Sequence, residues 1–569
     1  MSRHSTPALL IALAGLSAIS PAHAGDVVIN GITFTDRSAT GEIDLGFHTG
    51  GIAVFDYDND GHPDIVLADN RSVANRLFHN EADPNDPSKR IFVNVTAGSG
   101  LDDAEGTSRR GKGIVTADYD NDGHTDIFII GRLNSADDFG LLYRNNGDGT
   151  FSNVSSDAGV RISGYDPHSA SWTDFDLDGY VDLFIASPRS SLKNFLLLRN
   201  NGDGTFSNAD DRLPPAGDFD AAHVYSHTWF DYDGDGYDDC FTLANGNPGV
   251  AVVLHNIDDG AGGRAFVNSA PDIGFNVRNN GPMGITVGDL DGDADLDIAV
   301  TDFDEGRYYR NDGGLFTEIF PIIADWGWGN ALFDVDNDRD LDYFMVGSVG
   351  RGAIENLLFE NLGDGSFSDI SPAVNGPLAA SQHSVQIDFD TDGRTDFFVI
   401  NPGTGALPLT VLHNESVSGN WAMVKLLGDG ADVNRDAIGA LVRLHTATGT
   451  QVRTVQSGTS TTATEDLRAR FGLGADEEID WIEVVWPRTG TLAERTQRFD
   501  GPFAPNQVLT FTSGVVIPGD LNGDGCVDQA DLGILLAAYN TDDGGDLDGD
   551  GDTDQADLGI LLGNYNAGC

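Results

Sequence analysis

Seven times between residues 56 and 396 the chain repeats Asp-x-Asp-x-Asp-x-x-x-Asp followed by an apolar run. The carboxylates are Asp56, Asp58, Asp60 and Asp64; Asp118, Asp120, Asp122 and Asp126; Asp174, Asp176, Asp178 and Asp182; Asp231, Asp233, Asp235 and Asp239; Asp289, Asp291, Asp293 and Asp297; Asp334, Asp336, Asp338 and Asp342; and Asp388, Asp390, Asp392 and Asp396. Four carboxylates within nine residues repel one another unless a cation sits among them, and hard oxygen donors at alternating positions suit Ca²⁺. Position 6 is Gly in five copies, where a tight loop needs positive φ; Ala294 and Arg339 stand there in the fifth and sixth. A solvated acidic loop explains one such copy but not seven in phase with strand patterns. With the carboxylates committed to these loops, the 13 His scattered and no Ser in a G-x-S-x-G elbow, no catalytic constellation emerges.

Short strands must carry the loops. In the second unit Phe92–Thr96 alternates, Gly113–Ala117 leads into the loop at Asp118, Asp126–Ile130 leaves it, and Leu141–Asn145 runs into an Asn-Gly-Asp-Gly turn. Alternation, apolar runs and Gly-rich punctuation predict four antiparallel strands per unit. Units beginning 62, 56, 57, 58, 45 and 54 residues apart predict a seven-bladed β-propeller. Each unit opens with a Phe strand, so the seventh, ending at Val411–Asn414, lacks an outer strand of its own; Ile32–Asp36 is expected to supply it and close the ring.

Charge and targeting narrow the setting. With 90 acidic against 32 basic residues the net charge is −58, which argues against nucleic acid or an anionic membrane as partner. Residues 1–24 read as a signal peptide: Arg3 and His4, an apolar run from Ala8 to Ile19, then Ala22-His23-Ala24. That run is too short to span a bilayer, and the expected location is secreted. Cys240 follows the fourth loop inside an apolar strand and reads as a buried, inert thiol.

On these motifs residues 25–415 resemble the FG-GAP/VCBS repeats of integrin α-chain heads and many secreted bacterial proteins. The resemblance implies Ca²⁺ in the acidic loops and a ligand face built from the other connections. Those connections carry Arg109-Arg110-Gly111-Lys112, His168, His223 with His227, Arg278, Trp326 with Trp328, and His383. Two readings stay open for them: filling and solvating the central funnel, or forming a rim for a protein or glycan ligand.

After Trp421 the repeat stops. Alternating strands, Gly439-Ala440, Phe471-Gly472-Leu473-Gly474 and Val484-Val485-Trp486-Pro487 resemble the ASPIC and UnbV domain, implying a small β-domain over 420–513. Ser457–Thr462 lacks the aromatic usual there. The tail at 518–569 holds two EF-hand-type loops, with Asp520, Asn522, Asp524, Asp528 and Asp531 in the first and Asp546, Asp548, Asp550, Asp554 and Asp557 in the second. Each is followed by Gln-Ala-Asp-Leu-Gly-Ile-Leu-Leu, predicting a short helix. Asp at position 12 and the absence of a preceding helix resemble dockerin type I modules, which implies Ca²⁺ and a cohesin-like partner. A disulfide between Cys526 and Cys569 is expected to clamp this module, the alternatives being a free Cys569 or a bridge between chains. The fold class expected is mainly β: propeller, small β-domain, then a small α module. The expected function is a non-enzymatic calcium-binding adhesion or ligand-binding protein; the alternative is a carbohydrate-active enzyme or an accessory subunit of a polysaccharide-degrading complex.

Overall fold

The computed structural model describes residues 29–37, 50–68, 75–102, 110–132, 139–161, 167–187, 195–215, 223–245, 251–277, 281–302, 306–323, 327–347, 356–363, 366–374, 383–400, 409–458 and 463–514, with 519, 521, 527, 529–539, 545, 547 and 553–565 of the tail. The signal peptide expected at 1–24, Cys526 and Cys569 lie outside them.

The chain is mainly β, and its repeated four-stranded antiparallel sheets follow the pattern of a propeller. The first sheet contains Ile52–Phe55, Asp64–Leu67, Arg76–Asp83 and Asp86–Asn94; the third contains Ser169–Thr173, Asp182–Ala186, Phe195–Asn200 and Phe206–Asn208. The Phe strand that opens each sequence unit is the outermost strand of the preceding sheet, so sequence period and sheet are offset by one strand. The last sheet, His383–Ile387, Asp396–Ile400 and Leu409–Asn414, is completed by Phe34–Asp36, with Phe34 opposite Asn414. The innermost strands pack in cyclic order, and Ile52–Phe55 of the first sheet meets His383–Ile387 of the last. Apolar residues of both faces are buried between neighbouring sheets: Val115, Phe128 and Leu142 of the second meet Trp172, Leu183 and Leu198 of the third. A strand buried on both faces cannot alternate polar and apolar, which is why the second strands read as continuous apolar runs.

Residues 420–512 form two further sheets. Asn420–Leu427 lies between Ala469–Gly474 and, in parallel, Gln507–Thr512; the other sheet runs Gly449–Thr454, Leu441–Thr446, Ile479–Val485, Thr496–Phe503. Their shared core holds Val424, Leu444, Phe471, Ile482 and Trp486. In the tail, the helices Gln529–Ala538 and Gln555–Gly563 touch through a small cluster of Val527, Leu535 and Leu561. No helix among the described residues is long and apolar enough to cross a membrane.

Candidate metal-binding loops and the domain docked on them

Each acidic loop joins the first two strands of a sheet, and the last residue of the first strand pairs with the ninth loop position, as Phe55 does with Asp64 and Thr173 with Asp182. Between these paired residues the backbone must turn sharply, and it does so with positive φ at positions 4 and 6. Position 6 has φ of 89° at Gly61, 74° at Ala294 and 99° at Arg339; position 4 has 60° at Asn59, 53° at Leu177 and 59° at Thr391. The glycine pattern revealed position 6. Position 4 carried no uniform residue type and was not foreseen.

The carboxylates divide their work. Position 1 accepts backbone N–H groups of the loop itself: Asp118 takes those of Asp122 (3.0 Å) and Gly123 (2.7 Å). Position 5 accepts from position 7, as Asp60 does from His62 at 2.8 Å. Position 9 reaches the other way, and one oxygen accepts the N–H of an Asn in the third strand: Asp64 from Asn80, Asp182 from Asn200 and Asp396 from Asn414, each at 2.7 Å. Position 3 is the least occupied. Asp120, Asp176 and Asp390 each keep one buried oxygen without a hydrogen-bond partner.

Burial is the main electrostatic fact. It pushes Asp64 and Asp334 up to about 8, Asp388 to about 6, and Asp174, Asp182 and Asp396 well above the carboxylate range. Neighbouring loop carboxylates add to the rise, because like charges at short range disfavour ionisation. Asp118 reaches about 8 through burial and then through Asp436. A cation placed among these groups reverses both effects. The unpaired oxygens of Asp120, Asp176 and Asp390, aligned with ionisable oxygens of the same loops, make a donor set that fits a hard divalent ion. Hydrogen-bonded carboxylate oxygens retain a second lone pair for such an ion.

The sequence reading missed the third strand. The residue before its Asn lies over the loop: His79 approaches Asp64 at 3.2 Å, Arg199 pairs with Asp176 at 2.6 Å and with Asp178, His255 approaches Asp233 at 3.2 Å, and His413 approaches Asp390 at 3.1 Å. The signal was present as a recurring x-Asn pair ahead of each turn, read only as turn punctuation.

It also missed what covers the loops. Residues 420–513 dock on the loop end. Asp436 accepts the N–H of Asp118 (2.6 Å), Asn121 accepts that of Arg435 (2.9 Å), and Gly474 donates to the carbonyl of Asn337 (2.7 Å). Arg339, the strained position 6 of the sixth loop, binds Thr446 (2.7 Å), Asp476 (3.1 Å) and the carbonyl of Gly449 (3.1 Å). Arg495 donates to the carbonyl of Gly236, and Lys425 lies 3.9 Å from Asp56. A segment of this domain enters the ring: Ala463 and Thr464 pair in parallel with Ile52 and Ala53, Ser457 donates to the carbonyl of Thr116 (2.7 Å), and Thr464 to that of Ile114 (3.1 Å).

The connections expected to form a ligand rim lie at the opposite ends of the first strands. His168 packs edge-on to Tyr225 with ring centres 5.0 Å apart. His227 does not face a rim: it is fully buried against Phe184, between the hydroxyls of Ser169 (3.0 Å) and Ser171 (2.8 Å). Arg109, Arg278 and Trp326, and the side chains of Arg110, Lys112, His223 and His383, lie outside the described residues. Cys240 is buried and free, as its strand pattern required. In the tail, Asp531 and Asp557 accept the N–H groups of Leu521 (2.8 Å) and Leu547 (2.6 Å), and Asp554 caps the second helix. Asp520, Asn522, Asp524, Asp528, Asp546, Asp548 and Asp550 lie outside the described residues.

The FG-GAP-like repeat pattern matches residues 56–129, 118–185, 174–242, 231–300 and 334–399, more than half of the chain, and the ASPIC and UnbV pattern matches residues 430–517. The chain is 26% identical over 268 residues to cartilage acidic protein 1 of Mus musculus, covering 44% of this chain and 39% of that one. For the Homo sapiens protein the figures are 27% over 259 residues, 42% and 37%. The match thus spans less than two fifths of the length of these curated relatives. Among solved structures, it is similar to an Agrocybe aegerita lectin specific for non-reducing terminal N-acetylglucosamine, at 20% identity over 57% of this chain and 80% of that one with a TM-score of 0.37. It is also similar to the V. cholerae biofilm matrix protein Bap1, at 11% identity over 87% of each chain with a TM-score of 0.30. These two likenesses carry no argument about function.

Proposed function

We propose that this chain, which belongs to the FG-GAP-like repeat family, is an exported, calcium-rigidified adhesion or ligand-binding protein built on a seven-bladed propeller. One observation carries the reading: loops of one geometry hold buried carboxylate oxygens, at Asp120, Asp176 and Asp390, that no protein donor satisfies. Calcium at the seven loops would discharge the repulsion among them and fix the turn between the two innermost strands of each blade. The 420–513 domain covers the loop end, so the opposite rim is the platform left for a protein or glycan ligand. The 518–569 tail, with its two EF-hand-type loops, is the assembly or attachment module, with Ca²⁺ as its ion and a cohesin-like domain as its partner. Binding only the folded state stabilises it by mass action. Millimolar Ca²⁺ should therefore raise the melting temperature above that in chelator and reduce protease sensitivity; superimposable melting curves refute the calcium reading.

The second reading, a carbohydrate-active enzyme or an accessory subunit of a polysaccharide-degrading complex, draws on the tail, whose two helices expose Ile534, Leu536 and Leu562. Hydrolysis of acidic polysaccharides by the purified chain would favour it over the adhesion reading.

A further inference from the structure

The two sheets of the 420–513 domain end in four edge strands, and three of them are protected. Ala469–Gly474 lies on the ring, where Gly474 donates to the Asn337 carbonyl at 2.7 Å. Gly449–Thr454 is held there too, with the Gly449 carbonyl taken by Arg339 at 3.1 Å. Thr496–Phe503 exposes Arg498, Asp500 and Pro502, and charges and proline keep a foreign strand off an edge. The fourth, Gln507–Thr512, has no such device. It carries neither charge nor proline, and Gln507, Val508, Thr510 and Thr512 are exposed. Its one strand neighbour among the described residues is Asn420–Leu427, so the backbone groups on its far side meet no ladder.

This edge borders a cleft of about 510 Å³ between the docked domain and the first two sheets of the ring. Lys425, Val508 and Thr510 line it on the domain side, Asp56, Asn59 and Asp118 on the ring side. Its cations are spent within the chain. Lys425 lies 3.9 Å from Asp56, Arg435 donates to the Gly428 carbonyl at 3.3 Å, and Arg468 pairs with Asp466 at 2.7 Å. Its carboxylates are in excess: Asp436 adjoins Asp118, and the same two loops expose Asp58, Asp60 and Asp122. A divalent ion in each loop still leaves two of its four negative charges. Side chains alternate along a strand, so Val508 and Thr510 face the cleft while Leu509 and Phe511 join the domain core. On that second face Leu509 and Phe503 are only partly buried.

We propose that Gln507–Thr512 is a docking edge that takes an extended segment of a partner protein as a further strand. Main-chain hydrogen bonds to the open edge hold such a segment, and its alternate side chains select it. Those turned into the cleft are basic, to meet the unspent carboxylates; those between are apolar, to cover Leu509 and Phe503. A second copy of this chain, at a net charge of −58, is a poor occupant. The surface lies on the loop side of the ring, away from the open rim, and depends neither on a rim ligand nor on bound metal.

The test titrates the full chain, at physiological salt, with a capped Lys-Val-Lys-Val-Lys-Val-Lys peptide, and follows amide exchange by mass spectrometry. One peptide should bind per chain and protect residues 507–512. Two further peptides keep the charge but carry N-methyl groups on every Lys or on every Val; at least one of them should bind about tenfold or more weakly. The double variant Val508→Lys, Thr510→Lys should lose affinity to a similar extent. Leu315→Lys with Leu362→Lys adds the same charge at residues exposed in the fifth and sixth sheets, and should change little. No binding, full binding by both N-methylated peptides, or an equal loss in the two double variants overturns the proposal, the last two leaving only unspecific charge attraction. A dimer of the peptide-free chain that V508K/T510K dissolves also overturns it, and gives the edge to a second copy. Should V508K/T510K fail to fold, the N-methylated peptides decide on the wild type.

Discussion

The side-chain amide of Asn80 donates to the carbonyl of Phe389 at 2.8 Å, across 309 residues of sequence. Phe389 is the second residue of the seventh loop, and Asn80 stands in the third strand of the first sheet. The same bond recurs all the way round: Asn145 to Tyr57, Asn200 to Tyr119, Asn256 to Phe175, Asn311 to Tyr232, Asn361 to Leu290 and Asn414 to Val335. Each Asn is in turn held by the ninth-position Asp of its own loop, which accepts its backbone N–H. The acidic loops thus have a structural role besides any metal: they aim seven amides that tie each sheet to the one before it.

Removing one amide should therefore cost more than its position near a turn suggests. Asn80→Ala leaves the carbonyls of Pro63 and Phe389 without their donor in a buried place, where an unmet polar group costs about 1–3 kcal/mol. Asn146→Ala, one residue beyond the matching Asn of the second sheet and exposed, should change stability by less than about 0.5 kcal/mol. Denaturant unfolding of both variants checks this; equal midpoints would mean that the ring of amides carries little.

The loops were legible because carboxylate spacing and position-6 glycine are local signals, and the closing strand because the repeat was out of phase with its end. The amide ring was not. Its Asn side chains act on a neighbouring sheet, and nothing local separates them from turn residues. The docking of residues 420–513 was equally hidden: in the sequence Arg339 is only a side chain at a glycine position, whereas its guanidinium is spent on Thr446 and Asp476 of the docked domain.

That contrast gives opposite signs at two positions of similar backbone. Ala294 and Arg339 both have positive φ, 74° and 99°. Ala294→Gly should stabilise by about 0.5–1 kcal/mol, the relief of left-handed strain less the entropy of glycine. Arg339→Gly should destabilise, because the relief is smaller than the loss of three cross-domain hydrogen bonds. Melting temperatures of the two variants decide it, and a gain in both would show that the Arg339 contacts are energetically idle.

His227 gives the pH dependence. Burial pushes its pKa from 6.5 down to about 3, so it is neutral in the folded chain. Unfolding below pH 6.5 lets it take up a proton. Its contribution is therefore intact above that pH and is lost as pH falls from 6.5 toward about 3, by up to about 1.4 kcal/mol per pH unit. His227→Gln should abolish this part of the slope. The difference in melting temperature between wild type and variant, followed from pH 7 to 4, should shrink as acid is added; a constant difference refutes the assignment, since the carboxylates titrate in both proteins.

The docked domain should not melt by itself. Ala463–Thr464 is a fifth strand in the first sheet, and Ser457 both donates to the Thr116 carbonyl and accepts the N–H of Trp172 at 3.2 Å, so one segment joins three sheets of the ring. Unfolding residues 420–513 strips these partners from the innermost strands, and unfolding the ring takes from the half-buried Asp436 the N–H of Asp118. Two bodies that each lose buried hydrogen bonds when the other unfolds are thermodynamically linked. Scanning calorimetry of the full chain should give one joint transition for the ring and the 420–513 domain, and Ser457→Pro should lower it, because Pro distorts the inserted segment. Two well-separated transitions, with the lower one unmoved by the substitution, would show the domains to be energetically independent.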